Sequence, residues 1–138
     1  MIYKARMLEK LQYSRASVKK VKDNLPPSFD KFLKLDLEKD GIYKNIEFAI
    51  QNIIDICAIL VKEHELPIPK EEADIFRELE VHKILSKSVI SAIIQMRGFR
   101  NFLVHRYGKI DDRRSYRDIK EGLEDFEKVF RELEKAIA

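Results

Sequence analysis

Arg97, Arg100, Asn101, His105 and Tyr107 stand close together in a stretch whose other members include Met96, Phe99, Phe102, Leu103 and Val104. A helix advances about 100° per residue, so Arg97, Asn101 and His105, spaced four apart, share one line along it. Arg100, Val104 and Tyr107 flank that line. Met96, Phe99, Phe102, Leu103 and Arg106 fall on the opposite side, where the apolar members can dock the helix and turn the polar stripe outward. A packed core has no use for such a stripe. Charge points the same way. Between Arg97 and Arg117 seven basic residues (Arg97, Arg100, Arg106, Lys109, Arg113, Arg114, Arg117) stand against two acidic ones (Asp111, Asp112), a local +5 in a chain whose total is +3. General surface basicity does not account for that excess, and the patch suits phosphate. The competing reading at this level is a solvated helix end whose cations complement the helix dipole.

The order Arg100-Asn101, three residues, His105, one residue, Tyr107 resembles the R-N-x-x-x-H-x-Y signature of HepT-like toxins, members of the HEPN superfamily of small all-helical ribonucleases. The segment AIQNIIDICA at 49–58 is similar to the family's second long helix, and IFREL at 75–79 and YGKID at 107–111 are similar to further family segments. The likeness runs from about Ile42 onward and is weaker in the first helix. It implies one HEPN-like ribonuclease domain over residues 1–138, an all-α up-down bundle of about five helices, and a homodimer with a composite cleft. It also implies the toxin role in a type VII HEPN/MNT toxin–antitoxin pair. In HepT-like toxins the tyrosine equivalent to Tyr107 is adenylylated by a minimal nucleotidyltransferase antitoxin, which blocks the cleft with bulk and negative charge.

RNA is cut without a metal when a base takes the 2′-hydroxyl proton, the oxygen attacks the adjacent phosphorus, and an acid protonates the departing 5′-oxygen. Histidine suits proton transfer near neutral pH, which marks His105 as the catalytic group. Arg100 would stabilise the phosphorane charge, bidentately if geometry permits. Asn101, one turn before His105, can orient the imidazole or bind a phosphate oxygen, and Arg97 supports the same face. Arg106, Lys109, Arg113 and Arg114 would hold the RNA backbone. One histidine cannot act as base and acid on opposite sides of a phosphate at once. His64 and His82 have no pattern tying them to the site, but a two-fold dimer would bring two copies of Arg100 and His105 into one groove. Tyr107, with a phenol's ordinary pKa of about 10, is a poor base at neutral pH. RNA stacking, modification, or a hydroxyl capping the helix end remain open for it.

The elements that must position these groups follow from length and periodicity. A chain of 138 residues is one domain by size, and 37% charged residues with only four glycines and four prolines favour long solvated helices. Met7, Leu11, Val18, Val21 and Leu25 predict a first helix over about 3–24, ended by Pro26-Pro27. A helical turn can follow within 28–39 before Asp40-Gly41 breaks the pattern. Apolar residues from Ile46 to Val61 predict a central helix from Ile42 to about Glu65, with Asp55 its polar exception, either paired structurally or functional. A short helix starts at Pro69 or Lys70 and runs to about Leu79, and a fourth helix runs from about Val81 to His105 or Arg106. Gly108 stops it, and Ser115 caps a final helix in which Gly122 permits close packing.

The single cysteine, Cys57, lies in an apolar pattern and is expected in the core, consistent with a reducing compartment. No uncharged run approaches the length of a membrane span, so a cytoplasmic location without membrane contact is expected. There is no internal repeat, glycine-rich phosphate loop or metal-ligand cluster, and no cofactor is expected. A second reading from another class is a non-catalytic HEPN module that binds nucleotide or a nucleotidyltransferase partner. A third, a structural dimerisation bundle, leaves the basic patch unexplained.

Overall fold

The computed structural model describes residues 1–105 and 110–138. Six helices carry the described chain: α1 (Lys4–Asn24), α2 (Phe29–Leu33), α3 (Leu37–Glu63), α4 (Glu72–Val81), α5 (Lys87–His105) and α6 (Asp112–Ile137). Among the described residues there is no β-strand. The expected all-α architecture is therefore present, with five longer helices and one short turn of helix, α2.

The up-down arrangement can be read from the side-chain links between helices. The start of α1 meets the end of α3 through the Tyr3 amide and Glu63, Lys10 pairs with Asp55, and the Ser14 hydroxyl donates to the Ala49 carbonyl at 2.8 Å. As one number rises the other falls, so α1 and α3 are antiparallel. The pairs Arg15–Glu134 and Lys22–Glu127 set α1 against α6 in the same sense. Ser86–Glu132 and Ser88–Lys128 do so for α5 and α6. Helix α3 lies at the centre, in contact with α1, α4 and α5. Its Ile46, Ala49, Ile50, Ile53, Ile56, Cys57 and Leu60 are buried almost completely. Such a helix is apolar on several faces because neighbours surround it. Burial pushes the Cys57 thiol up to about 12, so it is an inert core residue.

Several boundaries differ from the expected ones, each for a local reason. Helix α3 begins at Leu37, not Ile42, because Glu38 and Asp40 sit in its first turn, where carboxylates complement the helix dipole. Gly41 is carried inside that helix. Helix α4 begins at Glu72, after Asp74 has accepted the amides of Lys70 and Glu71 in a capping box. No helix starts at Val81: α4 ends there, Lys83 takes a left-handed φ of 57°, and the Ile84 amide turns back to the Leu79 carbonyl. Ser86 then caps α5 by accepting the Val89 amide at 3.2 Å. Helix α6 starts one turn before the expected cap, with Asp111 accepting the Arg114 amide at 3.1 Å, and Ser115 is buried inside it. A Cβ added at Gly122 would meet nothing within 4 Å, so that glycine is not a close-packing point.

Candidate active site

Helix α5 is pinned by the burial of Val89, Ile90, Ile93, Met96 and Leu103, which fall on one helical face and commit it to the core. Its other face, at the C-terminal end, carries Arg97, Arg100, Asn101 and His105. Together with Lys44, Glu47, Phe48 and Gln51 of α3 and Glu72 of α4, the last three line an open cleft of about 560 Å³, with Val104 in its wall. His105 is exposed at the end of the described helix. Arg100 is not: its side chain is only 11% exposed.

Burial of a guanidinium demands partners, and Arg100 has them on every side. Its Nε and one terminal nitrogen donate to Asn101 Oδ1 at 3.2 and 2.7 Å. The same terminal nitrogen donates to Glu72 Oε1 at 2.7 Å, and the other to Gln51 Oε1 at 2.8 Å and Glu72 Oε2 at 3.4 Å. Arg97 Nε donates to the same Glu72 Oε1 at 2.6 Å. Partial burial pushes the Glu72 carboxyl up, but the hydrogen bonds from Arg100 and Arg97 outweigh it and hold the group below the ordinary glutamate value. Two basic groups from α5 thus converge on one carboxylate from α4.

Asn101, read from sequence as an orienter of His105 or a phosphate ligand, uses its carbonyl oxygen on Arg100. Nothing in the sequence marks Gln51 or Glu72 as a partner of Arg100. Their contacts with Arg100 span 49 and 28 residues, and no local pattern marks them. Arg113 and Arg114 project from the start of α6, where Arg113 lies over the Phe29 ring at 4.3 Å and Arg114 over the Phe102 ring at 4.7 Å. Arg114 and Arg117 also pair with Asp118. The basic segment is therefore divided between the cleft and the start of α6. Arg106, Tyr107 and Lys109, and Gly108 as the expected helix stop, lie outside the described residues.

Asp55 has a structural role, accepting from Lys10 and Gln51. His64 closes the end of α3, and His82 approaches Glu78 at 3.3 Å; neither lines the cleft. Among the described residues no group of three His, Cys, Asp or Glu side chains could hold a metal ion, and no helix is long and apolar enough to cross a membrane.

The chain is 27% identical over 109 residues to a protein of Archaeoglobus fulgidus named "Putative RNase", a match covering 77% of this chain and 74% of that one. It is 26% identical over 89 residues to the mRNA nuclease HepT of Shewanella oneidensis, covering 64% and 67% of the two chains. Its fold is similar to that of the tri-AMPylated Shewanella oneidensis HEPN toxin solved in complex with MNT antitoxin. That match has a TM-score of 0.82 at 20% identity and covers 94% of this chain and 96% of that one. A toxin–antitoxin structure with AMP-PNP superposes with a TM-score of 0.80 at 20% identity, covering 92% and 96%. The profile of the family described as Ribonuclease HepT-like matches residues 15–133, nearly the whole bundle and all of the cleft, and the chain belongs to that family.

Proposed function

We propose that this chain is the toxin of a HEPN/MNT toxin–antitoxin pair, a metal-independent endoribonuclease acting on RNA in the cytoplasm as a homodimer. The observation that carries the reading is the cleft in which Arg100, held almost out of solvent, and His105, exposed, stand on one helix end. A relative named as an mRNA nuclease and neighbours solved with an MNT antitoxin support it.

In the proposed reaction His105 takes the proton of a ribose 2′-hydroxyl, and the oxygen attacks the adjacent phosphorus. The P–O5′ bond breaks, and His105 of a second copy gives its proton to the leaving 5′-oxygen. The products are a 2′,3′-cyclic phosphate and a 5′-hydroxyl. Arg100 stabilises the charge that gathers on the phosphoryl oxygens, Asn101 holds the guanidinium in plane, and Arg97 adds a second cation. Arg106, Lys109, Arg113 and Arg114 carry the flanking backbone. Tyr107 is the proposed acceptor of AMP from the antitoxin, a modification that would put anionic bulk beside the cleft.

The test is direct. Purified protein incubated with RNA in EDTA should yield fragments ending in 2′,3′-cyclic phosphate and 5′-hydroxyl. Cleavage that disappears with chelation, or fragments with 5′-phosphate ends, would contradict this mechanism.

A further inference from the structure

A guanidinium has five N–H donors, and those of Arg100 make five hydrogen bonds to Asn101, Glu72 and Gln51. No donor remains for an incoming phosphate unless a partner leaves. Asn101 and Gln51 are neutral acceptors that can keep the guanidinium aligned. Glu72 is different in kind: its two oxygens span the terminal nitrogens of Arg100 while one of them also takes Arg97. A single negative charge presented on two oxygens is what a phosphodiester would also offer the same pair of arginines. Glu72 is also the first residue of α4, so its side chain can swing out toward solvent without disturbing the buried Ile75, Phe76 and Leu79.

We propose that Arg100 in the cleft and Arg97 beside it form a phosphodiester subsite around Glu72, and that Glu72 is its resident anion, which the RNA phosphate must displace. The exchange replaces one anion on two arginines by another, so binding RNA opens the site without leaving either cation unpaired. Glu72 therefore lowers affinity for RNA while keeping the empty subsite assembled. The inference rests on the ribonuclease reading, because it needs a phosphodiester ligand.

The test measures binding of a fluorescent 2′-O-methyl RNA oligonucleotide, which lacks the attacking hydroxyl, to the full chain by anisotropy. Glu72→Gln keeps the shape and removes the charge, and should bind about tenfold more tightly than wild type. Glu124→Gln makes the same charge change on the exposed side of α6 and should bind as wild type does. A thermal melt of each variant confirms folding; if Glu72→Gln proves unstable, Glu72→Ala, which likewise removes the anion, takes its place and should also bind more tightly than wild type, equal or weaker binding overturning the inference. Equal or weaker binding by the glutamine variant, or equal tightening in the Glu124 variant, would overturn the inference while wild type still binds and cleaves. No binding and no cleavage by wild type would instead remove the ribonuclease reading, and this inference with it.

Discussion

Arg100→Lys keeps the positive charge and removes the fork. The five bonds of Arg100 reach three residues on three helices in roughly one plane. An ammonium offers three donors around a point, so it cannot meet Asn101, Gln51 and both oxygens of Glu72 together, and it cannot present two parallel donors to phosphoryl oxygens. Losing one such stabilising donor in a transition state typically costs ~2.7 kcal/mol or more, about a hundredfold in rate. The cost to folding is smaller, because Glu72 and Gln51 are partly solvated and can turn to water. About 1 kcal/mol is expected, a shift of roughly 2–5 °C in Tm for a domain of this size. Single-turnover cleavage of a labelled RNA, beside a melt, measures both. Turnover within threefold of wild type would show that Arg100 acts as a simple charge, and a collapse of the melt would show that its role is structural.

Tyr107→Phe removes one hydroxyl and keeps the ring, so cleavage should persist while the mass added by the cognate nucleotidyltransferase and ATP disappears. Intact-mass spectrometry reads this, and an unchanged mass shift on the variant would move the modification elsewhere. If two subunits share one cleft and both histidines act, mixing wild type with excess His105→Ala should lower activity beyond simple dilution, because each mixed dimer keeps one histidine; a loss no greater than dilution, or a monomeric protein in sedimentation that is active as such, would contradict it. The Glu72 carboxyl is held below its ordinary value of 4.5, so its contribution to stability is present above that value and lost as pH falls through the folded value. Wild type and Glu72→Gln should therefore differ in Tm at neutral pH and converge as pH falls below 4.5; a constant gap would mean the arginine contacts do not titrate with Glu72.

The long helices were legible because burial commits residues three and four apart. Met7, Leu11, Val18 and Val21 mark α1, and Ile119, Phe126, Val129, Phe130 and Leu133 mark α6. Their ends were harder to read, since the same residue types serve opposite ends. Asp40-Gly41 reads as a break but supplies an acidic first turn to α3, and Asp111 and Ser115 are both good caps one turn apart. The interruption at 82–86 had no glycine or proline to announce it, because Lys83 itself takes the left-handed turn. Spacing along one helix puts Arg97, Arg100, Asn101 and His105 on one side of α5, and the last three line the cleft. Glu72 and Gln51 could not be read this way, since α3 and α4 bring them to Arg100 only once the bundle is packed.

In the proposed reaction His105 moves the proton. His105 is exposed at the end of α5 and takes no part in the buried face, so His105→Ala should melt within a degree or two of wild type. Cleavage of RNA in EDTA by the purified variant, read beside that melt, is the deciding measurement. An intact fold with no 2′,3′-cyclic phosphate product is expected; undiminished cleavage by a folded variant would mean that His105 does not carry the proton.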